Sequence, residues 1–90
     1  MDKCLHIFFS GMVQGVGFRF SAMESAKKHC LNGWAKNVRG GRVELLIQGS
    51  QKNIDLFLED INQEFKRHIA DCRIEESEYN QSLTDFKIVF

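Results

Sequence analysis

The chain contains no proline in 90 residues, so glycine and hydrophobic periodicity are left to punctuate it. It also carries no net charge, because 12 Lys and Arg balance 12 Asp and Glu. The long-range field that draws a protein to nucleic acid or to an anionic membrane is therefore missing, and only a local basic site has room to form. No apolar run approaches the roughly 18 residues of a bilayer span. The start, Met1-Asp2-Lys3-Cys4-Leu5-His6, lacks the apolar stretch of a secretion signal. The expectation is a cytoplasmic protein that engages neither membrane nor nucleic acid. Cys4, Cys30 and Cys72 are odd in number and show no Cys-x-x-Cys spacing, which argues against a disulfide framework or a zinc clip. They read as reduced core or strand residues. His6, His29 and His68 stand at no metal-ligand spacing, so no metal site is expected.

What is present suffices for one core. Hydrophobic residues make up 43% of the chain and eight are Phe, a composition that excludes intrinsic disorder. A chain of this length holds one domain, residues 1–90, because it cannot bury enough surface for two. Leu5, Ile7 and Phe9 alternate with His6, Phe8 and Ser10, the period of a strand. After a glycine-rich segment, Phe18, Ala22, Ala26 and His29 recur at helical spacing beside Met23 and Cys30, until Asn32-Gly33 supplies a helix end. The motif Ser21-Ala22-Met23-Glu24 matches a capping box, which would start the regular helix at Ser21 and leave Arg19 in the loop.

Residues 34–38 and 42–48 read as a hairpin around Arg39-Gly40-Gly41, with Val43, Leu45 and Ile47 pointing one way. Ser50 then caps a second helix whose Ile54, Phe57, Leu58, Ile61 and Phe65 share a face. The spacing predicts an edge strand over 72–79 and a last short strand through Phe86, Ile88 and Phe90. One apolar face per helix places both helices on one side of an antiparallel sheet. The predicted fold class is therefore α+β, a ferredoxin-like two-layer sandwich of βαββαβ order with a short additional C-terminal strand. In that sheet the first strand is expected at the centre, in reach of the strand that holds Asn37.

The segment Gly11-Met12-Val13-Gln14-Gly15-Val16-Gly17-Phe18-Arg19 joins a strand to a helix. Its glycines let backbone N–H groups converge, and the helix start adds its dipole, which together make an anion cradle. The competing reading is a glycine-rich connection that only turns tightly. Arg19 favours the cradle, since a cation at the positive end of the helix dipole is unfavourable without an anion nearby; a surface carboxylate could also pair with it. No Lys-Ser or Lys-Thr follows the glycines, and the third glycine of a dinucleotide fingerprint is missing. In isolation Asn37 could equally be a hairpin residue bonding its own backbone.

Taken in order, Gly11-x-Val13-Gln14-Gly15-Val16-Gly17-Phe18-Arg19, Gly33-Trp34-Ala35-Lys36-Asn37 and Gly41-Arg42-Val43-Glu44 resemble the motifs of the acylphosphatase family. Chain length and element order agree over nearly the whole sequence. The resemblance implies a hydrolase that cleaves the carboxylic-phosphoric anhydride bond of small acyl phosphates to a carboxylate and inorganic phosphate. It implies no metal and no organic cofactor. It further implies that Arg19 and the backbone of Gln14, Gly15, Val16, Gly17, Phe18 and Arg19 hold the phosphate, while Asn37 positions the attacking water. Arg19 and Asn37 would then be the catalytic residues. Met12 departs from the Arg or other polar residue frequent there, and residues 68–90 carry no matched motif.

The chemistry fits those residue types. A carboxylate leaving group, whose acid has a pKa of about 4, needs no general acid. Positioning and charge stabilisation are what remain to be supplied. The acyl group is expected to project into solvent, and a monomer is expected. Two other classes compete. An RNA-binding ferredoxin-like module needs aromatics on its central strands, and residues 42–47 have none and include Glu44. A phosphate-ligand sensor would keep the cradle and lack turnover.

Overall fold

The computed structural model describes residues 2–90. Its elements run β1 (Asp2–Gly11), α1 (Phe18–Lys28), β2 (Asn32–Val38), β3 (Arg42–Ser50), α2 (Gln51–Phe65), β4 (Ile69–Ser77) and β5 (Phe86–Val89). The alternations that predicted strands are the ones that bury one face. Leu5, Ile7 and Phe9 of β1 and Val43, Leu45 and Ile47 of β3 lie in the core, where they meet Ala22 and Ala26 of α1. From α2 come Ile54, Phe57, Ile61 and Phe65, all buried, each contributing roughly 1.5–3 kcal/mol of apolar burial. Leu58 flanks this group and is partly buried. Ser50 caps α2 as its residue type suggests, its hydroxyl accepting from the Asn53 N–H at 3.1 Å.

The sheet order is β4-β1-β3-β2-β5. This corrects two expectations. The middle strand is β3, with β1 beside it and paired antiparallel to β3 and to β4. The sheet is also mixed, because β5 lies parallel to β2. A strand that follows the βαββαβ unit finds the outer edge of β2 open, and pairing there closes it. The edge strand β4 starts at Ile69 and ends at Ser77, earlier at both ends than the alternation suggested.

Both ends of α1 differ from the sequence expectation. The helix starts at Phe18, after Gly17, and no side chain caps it. Ser21 instead donates its hydroxyl hydrogen to Glu64 of α2 at 2.8 Å, so a tertiary partner displaces the local capping box. At the other end the left-handed residue is Cys30, with φ of 56°. The Leu31 N–H reaches the Ala26 carbonyl at 2.8 Å and the Cys30 N–H reaches that of Lys27 at 3.2 Å, the paired bonds of a Schellman motif. Buried Leu31 drives this closure, and Asn32-Gly33 passes into β2 instead. Only Cys4 of the three cysteines is a core residue; Cys30 and Cys72 are exposed. Burial raises the Cys4 thiol above its ordinary pKa.

Two aromatic contacts fix where α1 begins. The Phe18 ring lies 4.9 Å from Phe9 of β1 and 4.6 Å from Phe65 of α2, centroid to centroid. The helix start therefore rests on a core stack, and residue 19 is held directly beside it. Farther along, Asp60 of α2 joins the helices by accepting from Ser25 at 2.9 Å and pairing with His29 Nε2 at 2.8 Å. The His29 hydrogen bond, with those of Ser25 and the charge of Lys28, lowers the Asp60 pKa below the ordinary carboxylate value.

A carboxyl whose folded pKa is depressed stabilises the fold fully above its unfolded pKa of about 4, and that contribution disappears as pH falls through the folded value. Asp60 is partly exposed, so the effect is on the order of 1 kcal/mol or less. Asp60→Asn should lower Tm at pH 7 by a few degrees, and the difference from the parent protein should vanish as pH falls through the folded Asp60 value. Thermal melts across pH 2–7 check this; a difference that persists undiminished at the acidic end would contradict it.

Candidate active site

The loop between β1 and α1 is anchored at both flanks and open between them. On one side the Met12 N–H bonds the His68 carbonyl at 2.8 Å, and Val13 is buried in the core. On the other, Phe18 sits in its aromatic stack. Between the anchors, Gly15 and Gly17 take φ of 77° and 79°, left-handed values that side-chain-bearing residues disfavour. A Cβ built on either would touch nothing within 4 Å. Backbone angle, not lack of space, is thus the reason for glycine at these two positions.

The first backbone bond of α1 runs from Ser21 N to the Gly17 carbonyl at 3.0 Å. With no side-chain cap and no acidic residue in the first turn, the N–H groups of Phe18, Arg19 and Phe20 point out of the helix start, at the positive end of its dipole. Arg19 is the second helical residue, so its guanidinium stands where a cation is least favourable. Among the described residues its contacts are weak for a charged group. It donates to the Val89 carbonyl at a long 3.4 Å and lies 5.0 Å from the centre of the Phe90 ring. No carboxylate of the described residues pairs with it, so the surface ion pair considered from the sequence does not form.

Asn37 reaches the same place from the sheet. It stands on β2 two residues beyond buried Ala35, on the face that bears the core, at the point where that face opens. Its side-chain oxygen is buried and accepts no hydrogen bond among the described residues. A buried acceptor in that condition costs free energy unless a ligand or water serves it. The local backbone bond considered from the sequence is not made by that oxygen. Arg19 and Asn37 both line one hollow of about 280 Å³, with Gly15, Gly17 and Phe18 of the loop on its wall.

Gln14 and Val16 are not among the residues that line this hollow. The Gln14 side chain points elsewhere and does something the sequence did not disclose. Its amide donates to the Val38 carbonyl and to the Arg42 carbonyl, both at 2.9 Å. Those residues end β2 and begin β3, so one side chain clasps the hairpin to the loop one residue away from Asn37. Composition could have flagged Gln14 as a polar residue amid glycines; only the pairing of strands shows what it reaches. Phe20, Ile88 and Phe90 also line the hollow and were likewise invisible as site residues in the sequence.

A wider groove of about 670 Å³ lies between α1 and α2. Glu24, Asp60 and Glu64 outnumber Lys28 there, so it repels anions, and its Asp60 and Glu64 are engaged by Ser25 and Ser21 of α1. Among the described residues no cluster of three or more His, Cys, Asp or Glu could hold a metal ion. None of the helices is long and apolar enough to cross a membrane.

The fold is a ferredoxin-like α+β sandwich in which a glycine-bearing first loop, Arg19 without a carboxylate partner among the described residues and Asn37 line one hollow. Comparison narrows the class. The acylphosphatase family profile matches residues 5–88, and the chain belongs to the acylphosphatase family of enzymes. The chain is 34% identical to the acylphosphatase of Chlorobaculum tepidum over 89 residues, covering 98% of this chain and 97% of that one. It is 35% identical to the acylphosphatase of Geobacillus kaustophilus over 89 residues, covering 98% and 95%. The crystal structure of acylphosphatase from Bacillus subtilis superposes with a TM-score of 0.86 at 33% identity, over 100% of both chains.

Two substitutions separate angle from space and clasp from cradle. At Gly17, L-Ala should destabilise by about 1–2 kcal/mol, whereas D-Ala introduced by chemical ligation should be neutral or stabilising; equal melting curves for the two would refute the conformational account. Gln14→Ala should leave the core intact and speed amide exchange across residues 12–17, read by hydrogen-exchange mass spectrometry. Unchanged exchange there would mean that the clasp does not hold the loop.

Proposed function

We propose that the chain hydrolyses small acyl phosphates to a carboxylate and inorganic phosphate, with Arg19, the loop backbone and Asn37 as the working parts. The observation that carries this reading is the meeting, around one hollow, of Arg19 and Asn37, a guanidinium without a carboxylate and a residue whose buried carboxamide oxygen has no donor among the described residues. Each is missing a counterpart, and one substrate with its water supplies both. The phosphoryl oxygens take the Arg19 guanidinium and the backbone N–H groups of Gly15, Gly17, Phe18 and Arg19, which line the hollow; Gln14 and Val16, expected with them, do not line it. The charge that spreads over those oxygens in the transition state meets donors already in place.

Asn37 then accepts a hydrogen bond from a water and turns its lone pair toward phosphorus. The oxygen–phosphorus bond to water forms as the bond to the acyl oxygen breaks, and the carboxylate leaves with the electron pair. It needs no proton at neutral pH, because its acid has a pKa of about 4. The water's proton passes to a phosphate oxygen of the substrate. Every charge change in this sequence occurs on the substrate, and the chain contributes fixed dipoles and one permanent cation. Planar, bidentate donation makes Arg better suited than Lys to that role.

Steady-state hydrolysis of acetyl phosphate in excess chelator tests the reading. Arg19→Ala should lower kcat/KM by about 10²–10³-fold and abolish competitive inhibition by inorganic phosphate. Asn37→Ala should lower kcat by a similar factor while phosphate still competes, since the cradle is intact. Activity that survives in either folded variant would overturn the role assigned to that residue, and loss of parent activity in chelator would overturn the metal-free mechanism.

A further inference from the structure

We infer that the hollow carries an acyl-group subsite, with Phe20 and Phe90 as its specificity-determining walls, which selects aromatic and bulky apolar acyl phosphates over small or charged ones. The inference rests on the acyl phosphate reading above. It also replaces the sequence expectation that the acyl group simply faces solvent.

Four observations point to it. The first is where exposed apolar side chains collect. Of the exposed large hydrophobic residues, Phe20 in the first turn of α1 and Phe90 just after β5 both line the hollow. Single exposed hydrophobics are ordinary, but a group of them around one opening marks a binding surface. The second is that Phe20 has no structural reason to be aromatic. The core-facing positions of α1 are Phe18, Ala22, Ser25 and Ala26, whereas Phe20 is 60% exposed and lines the hollow with Ile88 and Phe90.

The third is that the Phe90 ring, 93% exposed, lies against the Arg19 guanidinium. An aromatic face is thereby held beside the cation that grips the phosphate, one group farther out along any acyl phosphate. The fourth is size and charge. At roughly 30 Å³ for each water displaced, the 280 Å³ hollow has room beyond a phosphate and its attacking water. Among the described residues, Arg19 is the one with a charged side chain on its wall. With that guanidinium engaged by phosphate, an acyl group bearing its own charge finds no partner and loses hydration, whereas a phenyl ring finds Phe20, Ile88 and Phe90.

The test compares benzoyl with acetyl phosphate by steady-state kinetics, and benzoylphosphonate with acetylphosphonate, their non-hydrolysable counterparts, by calorimetry. The parent protein should favour the benzoyl member of each pair, mainly through KM and Kd. Phe20→Ser and Phe90→Ser should each cut that preference by about fivefold or more, and Phe20→Trp should retain it. Inhibition by inorganic phosphate, read in the same variants, reports whether the cradle is intact; variants that keep it within twofold and still lose the preference establish the subsite. A benzoyl-to-acetyl ratio unchanged in both serine variants overturns the inference. Absence of turnover with either acyl phosphate overturns the hydrolytic reading instead, and the phosphonate ratio then decides the subsite on its own.

Discussion

One side chain couples the two halves of the site. The Gln14 amide donates to carbonyls at both ends of the β2–β3 turn, so a loop that leaves β1 is tied to the hairpin whose first strand carries Asn37. Backbone amides and Arg19 belong to the loop and helix side; the carboxamide belongs to the sheet side. Their separation is set by these two hydrogen bonds and by the β1–β3–β2 pairing beneath them. A displacement of about 1 Å between a nucleophile and its target can cost two orders of magnitude in rate. Under the proposed mechanism the clasp would constrain function as well as structure.

The rest of the molecule braces that arrangement. Phe18 locks the helix start into a stack with Phe9 and Phe65, and the Met12 N–H hangs the far end of the loop on His68. Ser21, Ser25 and His29 are drawn to carboxylates of α2, which holds α1 against its neighbour. Two of those carboxylates, Asp60 and Glu64, are engaged by α1 side chains. Among the described residues Arg19 is left without a carboxylate partner. Stability is given up at the site and recovered in the core around it, as preorganised sites require.

Much of this was legible in the sequence. Leu5, Ile7 and Phe9, the stripe from Ile54 to Phe65, and the Arg39-Gly40-Gly41 turn announce their elements because periodicity and turn chemistry are local. The glycines at 15 and 17 mark the loop for the same reason, and both take left-handed backbone angles. What failed did so where a distant partner outweighed a local preference. Ser21 is a sound capping residue by type, yet Glu64 claims it. Asn32-Gly33 is a sound helix end, yet burial of Leu31 closes the helix earlier and puts Cys30 in the left-handed position. The last strand was visible as an alternation, but its parallel placement beside β2 depends on which sheet edge is open.

Local composition, spacing and motif order by themselves determined the element sequence, the α+β class and the family resemblance, because each is written within a few residues of chain. Only the tertiary structure decided that Arg19 lacks a carboxylate, that the Asn37 oxygen is buried without a donor, that Gln14 clasps the hairpin, and that Phe20 and Phe90 form a lip on the same hollow. Those are facts about residues as many as 70 positions apart, as Arg19 and the Val89 carbonyl illustrate. No periodicity connects such residues: their meeting is set by strand order and by the packing of the helices on one face of the sheet.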